Sequence, residues 1–169
     1  LANNHPGYFL VAATGHRPEK IGGYSLEVAL RLRRFATQCL RQIPETTHVI
    51  SGMALGWDQA IAEAALDLGL PLIAAVPFLG QESMWPAQSQ VHYHELLAKA
   101  TRIVYVSEPG YGAEKLQKRN VWMADRCDTM LALWDGTRGG TFNCVRYTER
   151  VGKPIVNVWD KFQEFLKAA

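Results

Sequence analysis

At 169 residues, with 48% apolar and 20% charged residues, the chain is long enough for one domain with a real core and too short for two ordinary ones. Eighteen Lys and Arg against sixteen Asp and Glu leave a net charge of +2, which excludes a strongly basic nucleic-acid binder by composition and a disordered acidic chain alike. Cys39, Cys127 and Cys144 are far apart and unpaired by spacing, as in a reducing compartment. The opening stretch "LANNHPGYFLVAATGHR" lacks the basic region of a secretory signal, and no apolar run reaches the roughly 18 residues a membrane span needs. A cytoplasmic protein without a membrane partner is expected.

In chain order, residues 8–15, "YFLVAATG", form a continuous apolar run ending in glycine, the pattern of a strand buried on both faces. From Ser25, a hydroxyl suited to an N-cap, the period becomes helical, with Leu32, Phe35, Ala36, Cys39 and Leu40 on one face and Arg31, Arg34, Gln38 and Arg41 outside. Strands follow at 47–51, 71–78, 102–107, 129–136 and 153–159. They alternate with helices at 57–68, 88–100, 113–127 and 140–151, and the helical stretch "KFQEFLKA" closes the chain. Regular alternation of apolar strands and amphipathic helices specifies an α/β fold: a Rossmann-like, doubly wound, mostly parallel sheet with helices on both faces, in a single domain over residues 1–169.

Ligands of such sheets bind beyond the carboxyl ends of the strands, so the residues following each strand are the candidates. After the first strand come Thr14, Gly15, His16 and Arg17, the last suited to bidentate contact with phosphate. After the second, Ser51 and Gly52 close the strand, and Gly56 precedes a helix whose Asp58 is either an N-terminal carboxylate or a hydrogen-bond acceptor for a ribose or base. Gln81 and Trp85 lie in the irregular stretch 78–87, where an amide and an indole suit a base edge and face, although Trp85 before Pro86 also reads as a packing plug. Arg119 and Asn120 sit on a helix facing the same end. After the fifth strand, "TRGGTFNC" supplies Gly139, Gly140, Thr141 and Asn143, an anion nest or simply a tight turn capped by Thr141.

Several chemistries are poorly served. The sequence has no G-x-G-x-x-G, no G-x-x-x-x-G-K-[ST] and no G-x-S-x-G. His92 and His94, two apart on a helix, point to different faces, so no metal site is expected, and no cofactor.

Together the blocks "TGHRPEKIGGY", "SGMALGWDQ", "VPFLGQESMWP", "KRNVWMADRCD" and "LWDGTRGGTFNCVRY" resemble the YpsA-like (DUF1273) proteins of the SLOG superfamily, over about Thr14 to Pro154. That superfamily includes the Lonely Guy (LOG) phosphoribohydrolases and the DprA DNA-processing protein. The resemblance implies a nucleotide or nucleotide-derived ligand at the strand ends, in a chain that pairs into a homodimer. LOG enzymes read P-G-G-x-G-T-x-x-E, with a catalytic glutamate. Here the third residue after Thr141 is Cys144, the nearest polar group is Asn143, and Arg119-Asn120 stands roughly where those enzymes carry an arginine–lysine motif. Two readings follow: a binding or sensing domain for a nucleotide-like small molecule, or an N-glycosidase of the LOG type that draws its carboxylate from Asp58, Asp135 or Glu82. Single-stranded DNA binding ranks third. The basic excess is small and the sequence shows no aromatic-lined basic groove, so nucleic acid is not the expected partner.

Overall fold

The computed structural model describes residues 6–169; the first five residues of the stretch inspected for a leader lie outside it. Six strands, β1 (Leu10–Gly15), β2 (His48–Ser51), β3 (Leu72–Val76), β4 (Arg102–Tyr105), β5 (Thr129–Leu133) and β6 (Ile155–Asn157), form one all-parallel sheet in the order β4-β3-β2-β1-β5-β6. The helices are α1 (Leu26–Arg41), α2 (Trp57–Asp67), α3 (Ala87–Lys99), α4 (Ala113–Arg126), α5 (Gly140–Arg150) and α6 (Trp159–Ala168), with a 3-10 turn at Pro18–Lys20. Right-handed crossovers allow one outcome when the strand order reverses: the helices change face. Accordingly α1, α2, α3 and α6 bury Phe35, Trp57, Ile61, Tyr93 and Phe162 against Val11, Ala13, Val49 and Leu131. On the other face α4 and α5 bury Met123, Ala124 and Cys144 against Ala12, Ile50 and Met130. The reversal falls between β1 and β5, the place where the loops after the two strands diverge and leave a crevice.

Local chemistry sets the boundaries. Ser25 caps α1, its Oγ accepting the Val28 N–H at 3.2 Å. Gly69, with φ at 68°, allows the chain to turn after α2. The two edge strands correct the expectation of uniform two-sided burial. In β4, Arg102, Ile103 and Tyr105 are exposed, as is Val156 in β6, because α4 and α5 cover only the middle of their face and the outermost strands have a neighbour on one side only. Among the described residues no helix is long and apolar enough to cross a membrane.

Candidate functional site

A cleft of about 320 Å³ opens at the switch point. Its walls are Thr14, Gly15, His16 and Arg17 after β1, Asp58 on α2, Arg119 and Asn120 on α4, and the glycine loop running into α5 at Gly139, Gly140 and Thr141. The sequence blocks thus converge from segments more than a hundred residues apart, because β1 and β5 are sheet neighbours.

Bare glycines make the close approaches. A Cβ on Gly15 would lie 2.4 Å from Trp57, whose indole is fully buried beneath the strand end and donates Nε1–H to the Leu131 carbonyl at 3.3 Å. A Cβ on Gly52 would meet Arg119 Nη1 at 2.3 Å and Asp58 Oδ2 at 2.8 Å. Gly52 therefore lets a cation and an anion share the cleft floor. The turn that follows puts Met53 at φ 61°, uncommon for a residue with a side chain. Ser51 holds this turn, donating its hydroxyl to the Asp58 carbonyl at 2.7 Å and accepting the Met53 N–H at 3.1 Å.

Asp58 and Arg119 are each only 6% exposed. Burial pushes the Asp58 carboxyl up to about 6, against the pull of Arg119, Arg17 and the Ala54 amide. Burial likewise lowers Arg119, against Asp58. Arg119 donates Nη1–H to the Gly52 carbonyl at 2.6 Å and Nε–H to Asn120 Oδ1 at 3.2 Å. Among the described residues neither charged group enters an ion pair, so both keep capacity for a ligand. Asp58 lies in the first turn of α2 and is not its cap: Gly56 holds the N-cap position, with no side-chain hydrogen bond.

The glycine loop is equally bare. Gly139 is the N-cap of α5, no side chain caps it, and Thr141 does not take that role. The first amides of the helix consequently face the cleft with the partial positive charge of a helix start. Space is open around the Cβ positions of both Gly139 and Gly140. Basic side chains that sequence reasoning passed over, Lys20 and Arg138, join Arg17 at this end, with Thr137 and Phe142 beside them. The runs "PEK" and "TRGG" were the signal available for them.

Other sequence candidates are placed elsewhere. Gln81 donates Nε2–H to the Gly52 carbonyl at 3.2 Å and is not among the residues that line the cleft. Trp85 packs on the core, edge-on to Tyr93. Glu82 pairs with His94 at 3.0 Å, while His92 pairs with Glu63 at 3.0 Å. Asp135 accepts from Thr137 and His16 at the cleft's edge. Gly56 lines a separate groove between α1 and α3. Asn143 lines a groove of about 660 Å³ between α4 and α5, with Gln117, Arg146, Tyr147, Glu149 and Arg150. Guanidinium groups lie over aromatic rings in α4 and α5, Arg126 on Trp122 (4.2 Å) and Arg150 on Tyr147 (5.3 Å), and at the cleft, Arg138 on Phe142 (5.8 Å).

An all-parallel switch-point sheet with a glycine loop, a bare helix start and a buried Asp and Arg defines a Rossmann-like α/β protein. The model of the YpsA family, described as the YspA SLOG family, matches residues 11–151, and the chain belongs to this family. It is 33% identical over 117 residues to the SPβ prophage-derived protein YoqJ of Bacillus subtilis, covering 60% of this chain and 68% of the relative. With UPF0398 protein BH1768 of Halalkalibacterium halodurans it shares 27% identity over 143 residues, 78% of this chain and 75% of that one. Among solved structures, DprA of Streptococcus pneumoniae superposes with a TM-score of 0.64 at 18% identity, covering 95% of this chain. The chain spans only 55% of that protein's length. DprA of Helicobacter pylori, described for its single-stranded DNA binding mode, gives 0.61 at 16% identity, covering 95% of this chain and 79% of its own. TM1055, a structural genomics target, gives 0.57 at 14% identity over 87% of this chain and 72% of its own.

Proposed function

We propose that the switch-point cleft binds a nucleotide or nucleotide-derived small molecule. Its phosphate lies on the bare start of α5 between Arg17, Lys20 and Arg138, and its hydroxyl-bearing part reaches toward Asp58 and Arg119. The observation that carries this reading is the pair of unpaired buried charges, Asp58 and Arg119, lining the same cleft as the uncapped helix start. Buried without an ion pair, the two charges carry a desolvation cost that the bonds of Arg119 to Gly52 and Asn120 and the Ala54 amide at Asp58 offset only in part, and a ligand that supplies hydroxyls and an anion offsets the rest. The volume of about 320 Å³ lies at the small end of ligand pockets, a size suited to one nucleotide unit. Of the three carboxylates considered for turnover, Asp58 alone is both buried in the cleft and near-neutral in pKa, the property a general acid or base needs. Incubation of the protein with nucleoside monophosphates, NAD and ADP-ribose, read by liquid chromatography and mass spectrometry, separates the two outcomes. Retained, intact ligand supports a binding module; released base or ribose 5-phosphate makes it a hydrolase; neither retention nor turnover across the panel counts against the reading.

A second reading, single-stranded nucleic acid, is favoured by the arginine-over-aromatic stacks of Arg126 on Trp122 in α4 and Arg150 on Tyr147 in α5, with Arg138 on Phe142 at the cleft, a pattern that the linear sequence did not display. The groove that Arg150 and Tyr147 line begins where the cleft wall ends, at Gln117 and Asn143. The DNA binding described for the H. pylori neighbour agrees with it. Against it stand Glu149, which pairs with Arg146 at 2.9 Å in that groove, and the small basic excess.

A further inference from the structure

His16 and Asp135 come from loops on opposite sides of the switch point, and His16 Nε2 lies 2.7 Å from Asp135 Oδ1. The backbone N–H of Asp135 donates to the same ring nitrogen at 3.0 Å when that nitrogen is unprotonated. The loop from Asp135 to the start of α5 has little else to fix it. Gly136 and Gly139 both take positive φ, 89° and 147°, and no side chain caps the helix. What holds it is Thr137. Its N–H and its hydroxyl both donate to Asp135 Oδ1, at 2.9 and 2.6 Å, and its carbonyl accepts Trp134 Nε1–H at 2.8 Å.

Asp135 is held in turn by His16, and His16 is anchored on every side. The histidine is 7% exposed, its N–H donates to the Leu133 carbonyl at 3.2 Å, its carbonyl accepts the Trp57 N–H at 3.3 Å, and its ring meets Trp159 edge-on at 5.7 Å. The same carboxylate gathers the cation at the mouth of the cleft: Lys20 Nζ donates to Thr137 Oγ1 and lies 3.8 Å from Asp135 Oδ2.

We infer that His16 and Asp135 are positioning residues that set the glycine loop and Lys20 in their anion-receiving geometry, linking the β1 loop to the β5 loop across the crevice. This rests on the reading of that loop as an anion site, and it moves Asp135 from the carboxylates available for chemistry to those committed to geometry. His16 Nε2 faces both an acceptor and a donor of Asp135: carrying its proton it donates to Oδ1, and bare it accepts the backbone N–H, so either tautomer ties the ring to Asp135. An anion arriving at Gly139 and Gly140 meets amides already oriented and a lysine it can draw away from Thr137.

The test uses amide hydrogen exchange together with titration of inorganic phosphate, on wild type, His16→Ala, His16→Gln and Asp135→Asn. In His16→Ala the amides of Thr137, Gly140 and Thr141 exchange faster by about tenfold and phosphate binds about tenfold more weakly, as expected for loss of a hydrogen bond to a charged group, while β1 and β2 amides keep their protection. His16→Gln, whose carboxamide N–H donates to the same oxygen, brings both readouts back to within about threefold of wild type, a rescue that a merely space-filling role would not produce. Asp135→Asn, which leaves no charge for Lys20, loses phosphate affinity like His16→Ala. Unchanged exchange at Thr137 in His16→Ala, or a glutamine variant as impaired as the alanine one, overturns the inference. Should wild type bind no phosphate, the reading of the site fails, and the exchange data alone still decide whether the pair positions the loop.

Discussion

Asp58 and Arg119 flank the bare Cα of Gly52 without pairing, each nine-tenths buried at the floor of one cleft. The arrangement stores an electrostatic cost that folding alone does not explain. Burial holds the Asp58 carboxyl at about 6, above its usual 3.8, so the folded state binds the proton more tightly than the unfolded chain does. Stability therefore falls as pH rises from 3.8 to about 6, and the full cost is present above that window.

Asp58→Asn removes that cost. At about pH 8 the variant should unfold about 2–3 kcal/mol less readily than wild type, and the gain should vanish below about pH 4, where both forms are neutral. Thermal unfolding across pH checks this; a pH-independent difference would contradict it. Ligand affinity should drop in the same variant, separating the residue's cost to the fold from its use in the site.

Two glycines one strand apart should behave oppositely. Gly15→Ala drives a methyl to 2.4 Å from Trp57, inside the packed core, and should cost about 1–3 kcal/mol, the usual penalty of overpacking. Gly140→Ala meets nothing within 4 Å and opens a helix, so denaturant melts should show no loss and a gain of up to about 1 kcal/mol. Its methyl stands where an anion would approach, and phosphate affinity should fall about tenfold.

His16 gives a second pH signature, of opposite sign to that of Asp58. Burial lowers its pKa, outweighing the hydrogen bond and charge of Asp135, and Lys20 lowers it further. The unfolded chain therefore takes up the proton first as pH falls from 6.5, and stability is lost through the window below 6.5 down to the lowered folded value. His16→Gln should lack this loss, so the wild-type-minus-variant stability difference should shrink on acidification from pH 7. A flat difference would contradict it.

Nucleic-acid binding makes a separate demand. If the α4–α5 groove takes a single strand, the affinity of a short oligothymidine should fall steeply with salt, and reversing Arg146 and Arg150 to Glu should reduce the slope by about 2. Salt-independent or absent binding leaves the cleft as the sole site under consideration.

Much of this was legible before any coordinates. Apolar runs punctuated by glycine gave all six strands to within about two residues at most ends, and the hydroxyl of Ser25 marked its helix start correctly. What the runs could not reveal was sheet order: "RIVYVS" looks as buried as "YFLVAATG", yet β4 is an edge and its Ile103 and Tyr105 face solvent. In the site, the strand-end glycines and the helical Arg119 were named from the sequence by residue type, but a surface salt bridge explained Arg119 equally well there, and its burial at the cleft floor is a fact of the fold. Lys20 and Thr137 did not, since their meeting depends on a loop closure spanning 117 residues. Trp85, Glu82 and Gln81 shared a promising stretch in the sequence, but in the fold their partners are Tyr93, His94 and the Gly52 carbonyl. Loop residues advertise chemistry by type; where they point is a tertiary fact.

The most direct measurement is a titration of isotopically labelled protein with adenosine 5′-monophosphate, followed by amide and arginine side-chain resonances. Saturable shifts at Gly140, Thr141 and Arg119 Nε, abolished in Arg119→Met while the fold is retained, are the predicted result. Absence of shifts up to millimolar nucleotide, or shifts confined to surfaces away from the switch point, would contradict the claim that this cleft is a nucleotide site.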